Sequence, residues 1–323
     1  MNAIQAPKRK FLVTGGAGFI GANFVNRLIS KGDSVRVLDK LTYAGNLKNI
    51  QQFIDQGKID FFHGDICDPA SVREAMDSVD IVVNFAAESH VDRSIESSAE
   101  FVRTNVLGTE NLLAHALMMN IELFVQISTD EVYGSIKNGS WKEDSPLKPN
   151  SPYSASKAAA DLLALSYYKT HGLDIRITRC CNNYGPKQLP EKIIPNFITK
   201  LMNEEKVPLY GDGRNVREWI HVEDHCDAID LVIEKGMPGE VYNIGSGFEL
   251  ENVELTNLLI QLLKLDSSYI EMVEDRKGHD FRYSVDSKKI ESLGFKNRYE
   301  FKKGLLETID WYKNNTNHWN SGR

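Results

Sequence analysis

Three tyrosines in this sequence are each followed four residues later by a lysine, a pairing that can remove a proton from a carbinol. On a helix the two side chains of such a pair share one face. The ammonium group favours the phenolate and lowers the tyrosine pKa toward the range that a general base needs. The three pairs are Tyr133 with Lys137, Tyr153 with Lys157, and Tyr299 with Lys303.

The surrounding sequence favours Tyr153 and Lys157 as the functional pair. Tyr133 is followed by a Gly-Ser loop, so no helix is expected to hold a lysine beside it. Tyr299 lies near the C-terminus, far from the glycine-rich loop described below. Tyr153 follows a proline and begins the run Tyr-Ser-Ala-Ser-Lys-Ala-Ala-Ala-Asp, which predicts a helix.

Asp130 and Glu131 are adjacent carboxylates that directly follow the fifth predicted strand. Two neighbouring acids in a loop are most often a solvated turn, but ligands bind at the carboxyl ends of parallel strands. There the pair has a chemical use, because oxidation of a sugar at C4 makes its C5 proton acidic. One carboxylate can remove that proton while the other, held neutral, protonates the departing C6 hydroxyl. Two carboxyls forced together split their pKa values and divide these roles.

A glycine-rich loop, Thr-Gly-Gly-Ala-Gly-Phe-Ile-Gly, lies between a predicted strand and a predicted helix, with glycines at Gly15, Gly18 and Gly21. Glycine permits the tight turn and lets backbone amides approach a pyrophosphate at the helix N-terminus. Asp39 ends the second predicted strand, about 20 residues further on, where a ribose-binding carboxylate is expected. The Asp39 carboxylate would repel a 2′-phosphate, so we predict NAD rather than NADP. The charge of Lys40, the next residue, would weaken that repulsion.

His221 and His225 have the spacing of two zinc ligands on a helix. Their run, however, is His-Val-Glu-Asp-His rather than His-Glu-x-x-His, and we predict a structural role and no metal. The four cysteines form no CxxC pair, which favours free thiols in a reducing cytoplasm.

The elements that must position these residues follow from alternating apolar runs and amphipathic stretches. Strand–helix alternation of this kind predicts a doubly wound (Rossmann) parallel sheet in an α/β protein. The predicted strands are Phe11–Thr14, Ser34–Leu38, Ile59–Phe62, Ile81–Phe85, Leu123–Ile127 and Asp174–Thr178. The predicted helices between them include Phe19–Ser30, Ala99–Met119 and Tyr153–His171.

The chain is 323 residues long, which favours about two domains. The rhythm of strands and helices breaks near residue 180, so we predict an NAD-binding domain over residues 1–180. A smaller C-terminal α/β substrate domain would cover residues 181–323, with possible exchange of segments. The net charge of −7 disfavours nucleic-acid binding. No apolar run is long enough to span a membrane, and the N-terminus lacks an apolar signal core, so a cytoplasmic protein is expected.

Over nearly the whole chain these residues resemble the extended short-chain dehydrogenase/reductases. Within them, Thr129-Asp130-Glu131 resembles the motif of the dTDP-glucose 4,6-dehydratases, whereas sugar epimerases of the same fold carry small residues in place of the acidic pair. The resemblance implies a hydro-lyase that converts dTDP-glucose to dTDP-4-keto-6-deoxyglucose by C4 oxidation, loss of water across C5 and C6, and hydride return to C6. It also implies a homodimer.

The resemblance assigns catalytic roles as follows. Tyr153 takes the C4 hydroxyl proton, Thr129 hydrogen-bonds the C4 oxygen, and Lys157 holds the ribose and activates the tyrosine. Glu131 removes the C5 proton and Asp130 protonates the C6 leaving group. A UDP- or CDP-glucose 4,6-dehydratase, a nucleotide-sugar 4-epimerase and a non-catalytic NAD-binding regulator are the alternatives.

Two sets of binding residues are implied by the same likeness. The residues expected to bind NAD are Gly15, Gly18, Phe19, Ile20, Gly21, Asp39, Lys40, Tyr43, Asn46, Asp65, Ile66, Ala86, Ala87, Ser89, Thr104, Tyr153 and Lys157. The residues expected to bind the nucleotide sugar are Ser89, His90, Thr129, Asn182, Lys192, Pro208, Tyr210, Arg217, Asn252, His279 and Tyr283.

Overall fold

The computed structural model describes residues 8–275 and 280–319. In that part of the chain the strands are short, and Ile81–Asn84, Leu123–Thr129 and Val241–Ile244 are buried at every residue, as expected for a parallel sheet that is covered on both faces. The strands are β1 (Lys10–Thr14), β2 (Ser34–Asp39), β3 (Ile59–His63), β4 (Ile81–Asn84), β5 (Leu123–Thr129), β6 (Ile175–Cys180), β7 (Asn182–Tyr184), β8 (Val207–Tyr210), β9 (Val216–His221), β10 (Val241–Ile244), β11 (Glu249–Glu251) and β12 (Ile270–Val273).

Helices connect the strands. The α-helices are α1 (Phe19–Lys31), α2 (Gln51–Asp55), α3 (Pro69–Met76), α4 (Val91–Glu96), α5 (Ala99–Phe101), α6 (Thr109–Met118), α7 (Pro152–His171), α8 (Ile193–Met202), α9 (Val222–Lys235), α10 (Asn252–Leu262), α11 (Lys288–Ser292), α12 (Phe301–Asn314) and α13 (Thr316–Trp319). Short 3₁₀ helices span Leu47–Asn49, Asp130–Tyr133 and Ser267–Tyr269, and a π-helix spans Val102–Gly108.

The largest sheet has seven strands in the order β10-β6-β5-β4-β1-β2-β3. The order β3-β2-β1-β4-β5-β6 within it is that of a dinucleotide-binding doubly wound sheet. Neighbouring strands are parallel, as in the register that pairs Phe11 with Val35 and with Ile81. The predicted α/β doubly wound fold is therefore confirmed.

The chain folds into two compact units. The first comprises Met1–Ile127, Ala159–Ile177 and Gly236–Glu240, and the second comprises Ser128–Ala158, Thr178–Lys235 and Val241–Arg323. The chain passes from one unit to the other within β5, α7 and β6. The division near residue 180 stays a prediction.

The second unit contains a three-stranded sheet, β11-β9-β7, and a two-stranded sheet, β12-β8. Its largest apolar cluster packs α8, α10 and α12 around buried aromatic side chains such as Tyr184, Trp219 and Tyr312. A smaller cluster, built from Val132, Tyr133, Ala158 and Val285, matters for the site described below.

One predicted element differs in detail. The single helix predicted over Ala99–Met119 is divided, because the π-helix separates α5 from α6. Within the π-helix, the Asn105 side chain bonds both the N–H and the carbonyl of Glu88, at 2.9 and 3.0 Å. Of the helices that the structure describes, none is long and apolar enough to cross a membrane.

Candidate active site

The acidic pair lies on a single helical turn at the end of β5. Thr129 is the last residue of the strand and caps the 3₁₀ helix, because its hydroxyl accepts the Glu131 N–H at 3.3 Å. The same hydroxyl donates to Oδ1 of Asp130 at 3.3 Å. The three predicted catalytic residues of this segment are thus linked through one hydroxyl group.

Asp130 and Glu131 have different environments although they are adjacent. Asp130 is 2% exposed and its Oδ2 has no hydrogen-bond partner among the described residues, whereas Glu131 is only half-buried. Burial raises the pKa of Asp130 well above its usual value, and the charges of Glu131 and Glu218 raise it further. The environment therefore favours a neutral Asp130 that can donate a proton, as a general acid must.

Tyr133 anchors the other end of this helical turn. Its hydroxyl donates to Oδ1 of Asn243 at 2.8 Å and accepts from Nη1 of Arg179 at 2.8 Å. The guanidinium also stacks over the tyrosine ring, 4.8 Å from its centroid. Burial raises the pKa of Tyr133 to about 12, so this tyrosine remains a neutral hydrogen-bonding group rather than a base.

Tyr153 and Lys157 lie in the first turns of α7, where both are buried. Pro152 begins the helix, and Ser151 accepts the N–H of Ser154 at 3.1 Å in the manner of an N-cap. Ala158, next to Lys157, packs against Val132 and Tyr133 of the acidic turn. The second unit therefore brings the predicted Tyr–Lys pair and the predicted acidic pair together.

The other two Tyr–Lys spacings have no such setting. Gly134, with φ at +78°, ends the helical turn directly after Tyr133, so that turn does not continue to Lys137. Tyr299 lies before α12 and stacks on His221 with ring centroids 3.8 Å apart.

Arg217 and Tyr283 are two of the predicted substrate residues, and they are in contact. The Arg217 guanidinium lies over the Tyr283 ring, 4.6 Å from its centroid, and donates to the Asp280 carbonyl at 3.0 Å. The charge of Arg217 lowers the pKa of Asp130, and the charge of Glu131 acts on Tyr283. These interactions place the arginine within electrostatic reach of the acidic pair.

The remaining predicted substrate residues occupy several elements. In the second unit, strand pairing sets Asn182 beside Trp219, and the Asn252 N–H donates to the carbonyl of Asn215 at 3.0 Å. Lys192 precedes α8, with Nζ 3.9 Å from a carboxylate oxygen of Glu191. Pro208 and Tyr210 lie on β8, and Tyr210 is exposed. His279 falls outside the described residues.

In the first unit the glycine loop is closely packed and suits a dinucleotide. A Cβ on Gly15 would lie 2.7 Å from the Ala86 nitrogen, and one on Gly21 would lie 2.4 Å from the Gly15 oxygen. Gly15 also has φ at +67°, which favours glycine. Gly18 precedes α1 and provides no side-chain cap, which leaves the helix N-terminus suited to a phosphate group. The residues present therefore fit NAD.

Asp39 ties the glycine loop to the end of β2. Its Oδ2 accepts the Ala17 N–H at 2.9 Å and its Oδ1 accepts the Leu41 N–H at 2.8 Å. Burial raises the pKa of Asp39, although these two bonds act in the opposite direction. Lys40 pairs with Asp65, with Nζ 2.8 Å from Oδ2. The lysine charge beside Asp39 is thus matched by a second carboxylate.

Other predicted NAD residues of the first unit surround this loop. The Tyr43 hydroxyl accepts the Ser89 N–H at 3.4 Å, and the Asn46 N–H donates to the Ala17 carbonyl at 3.1 Å. The Ala86 N–H donates to Thr14 at 3.3 Å. Ile66 follows β3, Ala87 follows β4 and Thr104 lies in the π-helix. Phe19 and Ile20 begin α1.

His90 is placed as a helix cap. Its Nδ1 accepts the Arg93 N–H at 3.4 Å at the start of α4. His221 ends β9 and His225 lies on α9, so the two histidines do not share one helix face. In the described part of the chain, no cluster of three or more potential metal ligands is found.

Several contributing residues were not identified from the sequence. Asn105 holds the Glu88 backbone, Arg93 stacks on Tyr43 at 4.0 Å from the ring centroid, and Glu218 acts on Asp130. The only sequence signal for Glu218 is an acidic residue directly before the apolar pair Trp219-Ile220. Such a position indicates a partner in the interior, but the partner lies far away in the sequence.

Comparison with known proteins gives a consistent result. Residues 12–308 match the family of GDP-mannose 4,6 dehydratase. A dTDP-glucose 4,6-dehydratase of Streptomyces antibioticus is 55% identical over 316 residues, which cover 95% of this chain and 93% of the relative. The crystal structure of DesIV, a dTDP-glucose 4,6-dehydratase from Streptomyces venezuelae with NAD and TYD bound, is 53% identical, with a TM-score of 0.94 over 96% of this chain and 98% of that one.

A more distant structure shares the fold. UDP-glucose 4-epimerase of Thermus thermophilus, in complex with NAD, is 29% identical, with a TM-score of 0.89 over 95% of this chain and 99% of the other. The much higher identity to the dehydratases confirms the resemblance that the acidic pair indicated. The chain belongs to the GDP-mannose 4,6 dehydratase family and, within it, to the dTDP-glucose 4,6-dehydratases.

Proposed function

We propose that this protein is a hydro-lyase that uses NAD to convert dTDP-glucose to dTDP-4-keto-6-deoxyglucose. The observation that carries the proposal is the contrast within the acidic pair, where Asp130 is buried, which raises its pKa well above the usual value, beside the half-exposed Glu131. An oxidoreductase that only moves a hydride has no use for a neutral acid next to a base. An elimination of water needs both.

The glycine loop, Asp39 and the residues around them are proposed to hold the dinucleotide. Bound NAD supplies a hydride acceptor at the start of the reaction and a hydride donor at its end, so it is regenerated within each turnover. The Asp39 carboxylate favours a free ribose 2′-hydroxyl over a 2′-phosphate.

The protein's own groups move the protons. Tyr153, as phenolate, takes the C4 hydroxyl proton, Lys157 holds the ribose and lowers the tyrosine pKa, and Thr129 hydrogen-bonds the C4 oxygen. Glu131 then removes the C5 proton while the C6–O bond breaks, and Asp130 gives its proton to the departing hydroxyl, which leaves as water. Glu131 returns a proton to C5 when the hydride returns to C6. Arg217 and Asn252 are proposed to hold the diphosphate, since a guanidinium suits forked contacts with phosphate oxygens. Pro208 and Tyr210 are proposed to pack on the base.

The direct test is incubation of the purified protein with dTDP-glucose, UDP-glucose and CDP-glucose in separate reactions without added NAD. We expect the 4-keto-6-deoxy sugar to form from dTDP-glucose, because the cofactor is retained from expression. If the keto sugar forms only from UDP-glucose or only from CDP-glucose, that nucleotide sugar is the substrate instead. A C4-epimerised product would contradict the dehydratase assignment.

The assignment of the acidic pair is tested by the double variant Asp130→Asn, Glu131→Gln. The amides keep the shape but neither group can donate or accept the required proton, so we expect water loss to slow by at least about 100-fold. NAD content is expected to match the wild type. Full dehydratase activity in this variant would contradict the proposed roles.

We also propose that the protein acts in the cytoplasm. In the described part of the chain, none of the cysteines Cys67, Cys180, Cys181 and Cys226 forms a disulfide, as is usual in a reducing compartment. Cell fractionation that recovered the protein in an extracytoplasmic fraction would contradict this.

A further inference from the structure

A third carboxyl lies buried in the second unit, next to Arg217 on β9. Glu218 is 1% exposed. Its Oε1 accepts the Gly247 N–H at 2.7 Å and its Oε2 accepts the Val285 N–H at 3.3 Å. The fit is tight, because a Cβ on Gly245 would lie 2.3 Å from Oε1. None of the ion pairs found among the described residues includes this carboxyl, so backbone amides are its donors.

Glu218 is connected to the acidic turn through Val285. The N–H of Val285 donates to the glutamate, and the Val285 side chain packs against Val132 and Tyr133. Those two residues belong to the same 3₁₀ turn as Asp130. The charge of Glu218 acts directly on Asp130. The two carboxyls therefore belong to one buried cluster.

Hydrogen bonds decide which of the two carboxyls carries the charge. Two buried acids in one cluster cannot both ionise at little cost, so at least one proton is retained. Glu218 receives two backbone N–H donors, which favour a carboxylate. Asp130 receives one long bond from the Thr129 hydroxyl and has no partner for Oδ2 among the described residues. The proton therefore belongs on Asp130.

The other charged and titratable groups of the cluster act on the same balance. Burial raises the pKa of Glu218 to about 7, the two backbone donors lower it, and Glu249 and Cys180 raise it. The charged and titratable groups that interact with Asp130 or Glu218 are Glu131, Cys180, Cys181, Arg217, Glu249 and Arg282. Among the groups that act on Asp130, Arg217 opposes its protonation.

We propose that Glu218 is a positioning residue for the elimination, whose buried negative charge keeps Asp130 in the protonated form that can donate to the leaving hydroxyl. The proposal rests on the proposed function. In each turnover the Asp130 proton passes to the C6 oxygen, the C–O bond breaks and water departs, which leaves Asp130 as a carboxylate. The charge of Glu218 then favours renewed uptake of a proton from solvent before the next substrate reacts.

The first test reads the protonation of Asp130 without any reaction. Infrared difference spectra of the full-length protein are recorded against pH, and the protonated-carboxyl band of Asp130 is assigned by its loss in Asp130→Asn. We expect the wild type to keep this band at about pH 7. In Glu218→Gln we expect the titration midpoint of the band to lie about one pH unit below the wild-type midpoint. A wild type that lacks the band at about pH 7 overturns the proposal, even if no Glu218 variant folds.

The second test reads the alkaline limb of the pH–rate profile for kcat. Because one pH unit corresponds to a tenfold change in the protonated fraction, Glu218→Gln is expected to lose about tenfold in kcat on that limb. Its kcat on the acid side and its KM are expected to change much less. Glu218→Asp, which keeps the charge, is expected to restore most of the limb. A uniform loss across pH in both variants would indicate a purely structural role and overturn the proposal.

Glu249→Gln is the matched control. Glu249 lies on β11 and pairs with Glu218 across the two strands, so this variant also removes one carboxylate. The charge of Glu249 acts on Glu218 and is not among the main influences on Asp130. Because the Glu249 charge raises the pKa of Glu218, its removal should leave Glu218 more fully charged, so we expect the infrared midpoint and the alkaline limb to stay in place or move to higher pH, opposite to Glu218→Gln. An equal shift in this control would overturn the specific role of Glu218. A wild type that dehydrates no nucleotide sugar would contradict the proposed function, while the infrared titration would still decide the role of Glu218.

Discussion

At the scale of single residues, the acidic pair shows how neighbouring groups of similar chemistry acquire different roles. Thr129 holds both members through one hydroxyl, while burial separates Asp130 from the half-exposed Glu131. Tyr133 contributes no proton transfer but fixes the end of the turn through Arg179 and Asn243. The chemistry of the pair therefore depends on residues that do not themselves react.

Tyr133→Phe is expected to destabilise the protein by about 1–3 kcal/mol, because it removes the hydroxyl that bonds a buried guanidinium and a buried amide. Urea unfolding measures the effect. Tyr167→Phe is the matched control, since its hydroxyl makes only a partly exposed bond to Glu110 at 3.3 Å. The control should change the free energy of unfolding by less than about 0.5 kcal/mol. Equal effects in the two variants would show that the Tyr133 network contributes little.

The lowered pKa of His221 predicts that the folded protein loses stability in mild acid. Burial, and then the charge of Arg298, lower its pKa to about 4 from the ordinary value of 6.5. A base whose folded-state pKa is depressed gives its full stability above the unfolded value and loses it as pH falls toward the folded value. The loss should therefore develop between pH 6.5 and about 4, at up to about 1.4 kcal/mol per pH unit.

Urea unfolding at about pH 7 and about pH 5 tests this for the wild type and for His221→Asn. Other titrating groups are common to both proteins, so the difference between their pH dependences reports on His221. The variant should lose less stability on acidification. Parallel pH dependences would contradict the prediction.

At the scale of elements, strand ends and helix starts carry the candidate site. β5 delivers Thr129 and the acidic turn, the first turns of α7 carry Tyr153 and Lys157, and the glycine loop joins β1 to α1. Each junction is short and is held by backbone hydrogen bonds, which limits the freedom of the reactive side chains.

Gly21→Ala tests the glycine loop. The added methyl would meet the Gly15 oxygen at 2.4 Å and the Gly16 Cα at 3.0 Å, and backbone atoms cannot move aside cheaply. We expect NAD affinity to fall at least about tenfold, a cost of about 1.4 kcal/mol, as measured by cofactor content and by titration.

Gly172→Ala is the control for this change, because its Cβ meets no atom within 4 Å although its φ is +72°. It should cost about 1 kcal/mol of stability through backbone strain and leave NAD binding intact. Wild-type NAD affinity in Gly21→Ala would argue against the loop as the cofactor site.

At the scale of the whole molecule, three exposed apolar side chains bear on the prediction of self-association. On the helices of the first unit, Leu107, Met118 and Leu162 are each more than half exposed, at 58, 57 and 59%. Exposed apolar side chains of this size are often covered by a partner. Together with the family resemblance, they support the prediction of a homodimer.

Sedimentation velocity at micromolar concentration tests the dimer. We expect the wild type to sediment as a dimer and Leu162→Glu to shift toward monomer, because a buried unpaired carboxylate is costly at an apolar interface. Met237→Glu is the control, since Met237 is 63% exposed outside those helices. A wild type that is strictly monomeric, or a control that dissociates equally, would contradict the prediction.

The sequence by itself determined the doubly wound fold, and it predicted the glycine loop with Asp39, Tyr153 among three equal spacings, and the acidic pair as the site. These follow from local rules, since periodicity, turn residues and spacing along one element are visible in the chain. It did not determine the interruption of the helix over Ala99–Met119, because a π-helix depends on packing against distant residues.

Only the tertiary structure decided which member of the acidic pair is buried. The protonation of Asp130 depends on the dielectric environment and on charges that approach from β9 and β6, tens of residues away in the sequence. Glu218, Arg217 and Cys180 reach Asp130 only after folding. The residue types of the pair are thus a property of the sequence, whereas the contrast in burial between its two members is a property of the fold.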